Sequence, residues 1–249
     1  MSTPVPRESF QAELEALQAD VVGMGEHVLA QLDDALTALE TADAELASDV
    51  IDGDDAVNER YLDLEARCVD LFALQQPVAS DLRFVAAAFK ILTDLERVGD
   101  LATNLGQYAL AAGDGTVAAD GAAGTASSAV DVPPESVTEI GRDAEAMLQD
   151  ALDAFETENA EVCPEIAARD DELDVLCQHA GEDVVRQLLS AGTAATDTDP
   201  PTEWDVEQAL DDVSRVLLTI RDLERVGDHA VNVAARTLYM VEHDPTLVV

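Results

Sequence analysis

"LTDLERVGDLATN" at residues 92–104 returns as "IRDLERVGDHAVN" at residues 220–232, with nine of the thirteen positions identical at an offset of 128. A second pair of stretches lines up without a gap at an offset of 116. These are "ALTALETADAELASDVIDGDDAVN" (35–58) and "ALDAFETENAEVCPEIAARDDELD" (151–174). The two offsets differ by 12, which requires one insertion. It falls where "QQP" (75–77) gives way to "SAGTAATDTDPPTEW" (190–204), between two predicted helices, where a fold tolerates added length. The chain is two copies of one unit.

The unit is helical. Phe10, Leu14, Leu17, Val21, Met24 and Val28 step by three and four residues, and Leu32, Leu36 and Leu39 extend the stripe, which is the apolar face of a long amphipathic helix. A second helix is expected from Asp54 to about Leu74, stopped by Pro77. A third begins near Ala79, with Val85, Ala88, Leu92, Leu95, Gly99 and Ala102 along one face. Strand-like alternation is nearly absent. Three long helices joined by short turns make an antiparallel bundle. The expected fold is all-α: two tandem-repeated antiparallel three-helix bundles, spectrin-repeat-like, over 1–112 and 134–249. A linker rich in Gly, Ala and Ser, 113–133, joins them.

The 249 residues carry 53 acids against 13 bases, a formal charge of −40. Lys90 is the one lysine. Such a balance suits concentrated salt, where screening quiets self-repulsion, and points to a halophilic setting. It argues against nucleic acid or an anionic membrane as partner, because no Lys/Arg cluster exists to bind phosphates. Cys68, Cys163 and Cys177 are unpatterned, as in a reduced cytoplasm. No signal-peptide segment opens the chain, and no apolar run reaches the roughly 18 residues of a membrane helix, so a cytoplasmic location without membrane insertion is expected.

Acid spacing alone proves little in so acidic a chain, since a pair at any fixed spacing recurs by chance roughly ten times. Repetition is more informative. Glu96 and Asp100 lie one helical turn apart, with Asn104 a turn further, and Glu224, Asp228 and Asn232 repeat them. Glu96 sits about 40° from Leu92 on the wheel, beside the apolar stripe. The second helices offer Asp54 and Asn58, and at the equivalent positions Asp170 and Asp174. Across an antiparallel interface these can meet Glu96/Asp100 and Glu224/Asp228. An oxygen-only set suits Mg²⁺, Ca²⁺, Mn²⁺ or iron more than structural zinc. The competing reading is a duplicated helix-packing element without metal.

Arg97 and Arg225 are expected to pair with Asp94 and Asp222 at i,i+3. Gly99 and Gly227 each cost about 1 kcal/mol inside a helix, and their stripe position suggests close helix approach. His229 has Leu101 as its counterpart and reads as structural. Cys163, Cys177 and His179 have Ala47, Tyr61 and Asp63 as counterparts and read as incidental. No nucleophile–base pair, P-loop or Glu-x-x-His pair is present, so no catalytic residue and no organic cofactor is assigned.

Two three-helix units, each with "LERVGD" on its third helix, resemble the PhoU family of phosphate-uptake regulators. "QQPVASDLRFVAAAFKILTDLERVGDLATN" resembles the first PhoU repeat and "DVSRVLLTIRDLERVGDHAVN" the second. The resemblance implies an all-helical, often dimeric protein whose E(D)-x-x-x-D motifs can hold iron or zinc clusters. That carries over to Glu96, Asp100, Glu224 and Asp228, with Asp54, Asn58, Asp170 and Asp174 as further members. It also implies a non-enzymatic regulator that restrains phosphate import by contacting the ATPase subunit of the phosphate ABC transporter, and in many bacteria a link to a sensor kinase. The alternatives are a metal-storing or metal-dependent helical-bundle enzyme acting on phosphate esters, and a metal-free helical adaptor.

Overall fold

A computed structural model describes residues 7–74, 79–114, 134–194 and 203–248. The first copy consists of α1 (Arg7–Thr41), α2 (Ala44–Asp52), α3 (Asp54–Leu74) and α4 (Ala79–Asp114). The second consists of α5 (Pro134–Glu156), a 3-10 turn (Ala160–Val162), α6 (Cys163–Ala194) and α7 (Glu203–Glu242). No strand occurs among the described residues.

Local chemistry explains the breaks. α1 stops at Ala42, whose φ of 52° leaves the helical region, and the Asp43 carboxylate accepts the Glu45 and Leu46 amides at 3.0 and 3.1 Å. The second copy repeats this turn: Glu158 has φ 51° and the Asn159 side chain accepts the Glu161 amide at 3.2 Å. Beyond the turn the copies differ. Gly53 separates α2 from α3, whereas Arg169 stands at the equivalent place and α6 passes as one rod. The expected second helix, Asp54 to Leu74, is therefore only part of the first copy's path, and α2 adds to it. The linker expected at 113–133 lies outside the described residues except that α4 runs on through Gly113 and Asp114. Residues 75–78 and 195–202 lie outside them as well.

Phe10, Leu14, Leu17, Val21, Met24 and Val28 are buried, as are Val85, Ala88, Leu92, Leu95 and Ala102. They do not fill two separate cores. One continuous apolar cluster runs through both copies, with α1 against α5 and α4 against α7. At the α1/α5 seam each copy supplies a leucine and a glycine at repeat-equivalent positions. A Cβ on Gly25 would lie 2.6 Å from Leu152 Cδ1, and a Cβ on Gly141 would collide with Leu36 Cδ2. Each leucine occupies the hole left by the other copy's glycine, so a pseudo-twofold axis relates the repeats.

Candidate cation sites flanking the repeated motif

The residues of "DLERVGD" and the Asn that follows divide between two faces of each third helix. The first Asp and the Asn face the other repeat. Asp94 Oδ1 takes the Asn232 amide at 3.2 Å and lies 2.9 Å from His229 Nδ1. Asp222 Oδ2 accepts from Asn104 Nδ2 at 3.3 Å and from the Tyr108 hydroxyl at 3.0 Å. The Asp–Asn bond is the same one written from each side of the pseudo-twofold axis, whereas His229 and Tyr108 are added by one copy each, with Leu101 and Arg236 at the equivalent positions. Burial and the Asp222 bond push the Tyr108 phenol up to about 12. Asn104 and Asn232, which the spacing had aligned with the acid pairs, thus serve the seam between repeats. So does His229.

The Glu and the second Asp face the second helix of their own copy. In the first copy Glu96 and Asp100 come into electrostatic range of Asp54. Burial raises both carboxyls; Asp100 and Asp54 add to the rise at Glu96, and Asp54 adds to it at Asp100. Arg97 sits 3.5 Å from Glu96 and 3.5 Å from Asp100. The expected Arg97–Asp94 pair does not form, because Asp94 points into the seam. Arg225 does reach Asp222, at 3.7 Å. Asp54 is held on both oxygens: Thr103 donates to Oδ1 at 3.0 Å and Asn58 to Oδ2 at 2.9 Å. Gln31 on α1 donates to Thr103 Oγ1 at 3.4 Å and to the Val50 carbonyl at 3.1 Å. The offset-116 alignment places Met147 opposite Gln31, so sequence comparison gave no sign of its part here.

In the second copy Asp170, Asp174, Glu224 and Asp228 are brought together. Burial pushes the Asp170 carboxyl up to about 6, with Asp174, Asp228, Asp171 and Glu224 adding to the rise. Burial, then Asp174 and Asp228, raises Glu224; burial, then Asp174, raises Asp228. Asp170 Oδ1 is buried without a hydrogen-bond partner. Gly227 passes directly over it: an added Cβ would stand 2.8 Å from that oxygen and 2.5 Å from Leu173 Cδ2. Cys177 lies beside this cluster, and burial together with Glu224, Asp174 and Asp170 pushes its thiol up to about 12. It is a thiol rather than a thiolate donor. Cys163 and His179 are not among the groups that shape the cluster.

Among the described residues, no three His, Cys, Asp or Glu side chains converge into a coordination shell. The donor chemistry nevertheless fits a hard cation: the oxygens are carboxylate, one is orphaned and buried, and mutual repulsion raises their proton affinity.

The model of the PhoU domain matches the chain twice, at residues 21–109 and 137–237, once in each copy. The chain belongs to the PhoU family. The PhoU homolog of Pseudomonas aeruginosa, named a phosphate-specific transport system accessory protein, is 31% identical over 94% of this chain and 86% of its own length. The Escherichia coli PhoU accessory protein is 32% identical over 94% of this chain and 85% of its own. The crystal structure of P. aeruginosa PhoU superposes with a TM-score of 0.79 at 31% identity, covering 94% of this chain and all of that one, 100%. That of the Streptococcus pneumoniae phosphate transport regulatory protein PhoU gives 0.75 at 26%, covering 95% and 99%. The PhoU fold therefore spans both repeats. No helix among the described residues is long and apolar enough to cross a membrane.

Proposed function

We propose that this protein is a non-enzymatic, cytoplasmic regulator that restrains phosphate uptake through the phosphate ABC transporter, acting by contact with the transporter's ATPase subunit. The observation that carries the reading is the double PhoU-domain match, one per repeat, together with relatives named as accessory proteins of phosphate transport. The helical platform supports a contact role. Its core is continuous from one repeat to the other, and its sequence supplies no nucleophile and base in partnership. A homodimer working in concentrated salt belongs to the same proposal, since a chain of charge −40 associates more readily once its repulsion is screened.

The second part of the proposal is that the acid clusters bind metal ions, with Glu96, Asp100, Asp54 and Asn58 at one and Glu224, Asp228, Asp170 and Asp174 at the other. A cation supplies positive charge to carboxylates that otherwise repel, and so draws the second and third helices of a copy together. The residues themselves hold the geometry. Gly99 and Gly227 let the helices approach, and the seam keeps α4 and α7 in register.

The test is phosphate uptake in a deletion strain grown with ample phosphate. Uptake should continue unrestrained, and wild-type protein should restore restraint. Uptake indistinguishable from the parent strain would sink the regulatory reading. Co-purification with the tagged ATPase subunit tests the contact separately.

A further inference from the structure

Resting on the ATPase-contact reading above, we propose that each repeat makes this contact through an apolar patch at the far end of its second and third helices, and that each patch takes an apolar helix face edged with Lys and Arg. In the second repeat both helices build the patch. Gly181 of α6 lies beside Leu217 of α7, with 3.8 Å left for an added Cβ. From that level Val185 and Leu189 follow at one and two turns on α6. Leu210 and Val206 follow at two and three turns on α7, which runs the other way. All four are exposed, Leu189 at 66% and Leu210 at 50%. Leu210 and Val206 stay within about 20° of Leu217 on the helical wheel, so they face α6 and yet remain exposed. The groove between the two helices is open at this end.

The first repeat has the same feature. Val69 is the counterpart of Val185 at offset 116, and Leu82 that of Leu210 at offset 128. Both are exposed, at 51% and 45%. Away from these ends the exposed apolar residues of the copies do not correspond: Leu62 is matched by Gln178, Leu176 by Arg60 and Leu218 by Lys90. Apolar residues scattered singly over a surface need no partner, whereas a patch that recurs at one place in two diverged copies marks an interaction site. The two patches lie far apart. Arg83 Nη2 is 2.9 Å from His243 Nε2, so the first patch sits at the C-terminal end of α7. Leu210 is 33 residues back along the chain from His243, about 50 Å in a helix. A partner helix of ordinary length cannot span both, so the chain offers two docking points.

The partner's chemistry follows from the rim. Glu182, Glu207 and Asp211 are exposed around the second patch, and Asp70 stands next to Val69 at the first. Arg186, beside the second patch, is engaged by Asp183. A second copy of this chain would set carboxylates against carboxylates, with a charge of −40 on each side. An apolar ridge with Lys or Arg along its edges suits both the leucines and the rim when laid into the groove as a third helix.

Titration calorimetry, with purified ATPase subunit added to the full chain, tests this. The parent should take two equivalents. Leu189→Ser with Leu210→Ser should leave one, Val69→Ser with Leu82→Ser should leave the other, and all four together should leave none. Glu182→Gln with Glu207→Gln should keep both and weaken one of them about threefold. Leu218→Ser, at an exposed leucine outside both patches, should change nothing. Melting temperatures should match the parent's, because every substituted side chain is exposed. A lowered Tm in the paired leucine and valine variants would show these side chains packed within the chain and would overturn the proposal. So would stoichiometry and affinity unchanged in both pairs, or dissociation of a dimer in sedimentation velocity while ATPase binding persists. Tighter binding after Glu182→Gln with Glu207→Gln would overturn the Lys/Arg edge. No binding by the parent at all would overturn the ATPase-contact reading itself, and this inference with it.

Discussion

The two seams that join the repeats are both reciprocal, yet they are made of opposite materials. Between α1 and α5, Leu36 sits on Gly141 and Leu152 on Gly25, apolar groups in glycine holes. Between α4 and α7, Asp94 takes Asn232 and His229, and Asp222 takes Asn104 and Tyr108. An apolar seam contributes in proportion to the area it removes from water. A hydrogen-bonded seam contributes less net energy and more direction, because its alternatives leave buried polar groups unpaired. The first seam therefore holds the repeats together. The second fixes the register of the two helices that carry the motif.

The largest expected effect breaks the apolar seam. Leu152→Ala empties the hole beside Gly25 and should destabilise the protein by about 3 kcal/mol in chemical denaturation, as large-to-small core changes do. A loss under about 1 kcal/mol would deny that this seam is the main joint. Next comes the polar seam. Asp222→Ala orphans Asn104 and Tyr108 and should cost about 1–2 kcal/mol. The same substitution should bring the Tyr108 phenol down from about 12 toward its ordinary range, read by ultraviolet titration. A phenol that does not move would place Tyr108 outside the seam.

Smaller effects separate the two motif glycines. Alanine favours a helix over glycine by about 1 kcal/mol. At Gly227 the clash with Leu173 and Asp170 outweighs that gain, so Gly227→Ala should be destabilising by ~1 kcal/mol. At Gly99 the nearest atom to a new Cβ is Val57 Cγ1 at 3.1 Å, the tip of a side chain, and Gly99→Ala should be close to neutral. Equal thermal shifts for the two variants would erase the distinction between the copies.

A pH dependence of similar size is expected as well. An unfolded Asp titrates near 3.9, whereas Asp170 titrates at about 6 in the fold, so between these values the native state holds more protons than the unfolded one. Asp170 therefore favours the fold most below pH ~4, and that contribution falls as pH rises to about 6 and is then constant, a loss of ~1 kcal/mol once solvent screening is counted. Asp170→Asn should flatten this slope in denaturation midpoints measured from pH 4 to 7. A slope unchanged by the substitution would assign it to other carboxyls.

Helical periodicity made much of this fold legible. The stripe from Phe10 to Val28 is buried, and α3 and α4 begin at Asp54 and Ala79 as the pattern indicates. The break at Gly53 was harder to see, because a single glycine inside a helical pattern is compatible with both a rod and a corner. The pairing of Glu96 and Asp100 with Asp54, and of Glu224 and Asp228 with Asp170 and Asp174, was also readable, since helical spacing puts each pair on one face. The fates of Arg97, Asn104 and Gln31 were not. Each is decided by a helix 70 or more residues away or by competition among several acids for one cation, and neither leaves a local trace. The glycine holes did leave one: at an offset of 116, Gly25 matches Gly141 and Leu36 matches Leu152.

Because leucine and glycine trade places across the axis, each half of the chain carries both the plug and the socket. A fragment ending at Asp114 would present Leu36 and Gly25, three turns apart on one face of α1, to any surface of the same kind, including another molecule of the same fragment. The contact between the repeats is in this sense a dimer interface enclosed within one polypeptide. Covalent tethering of the halves raises their effective concentration and so favours the intramolecular pair over exchange with a neighbouring chain.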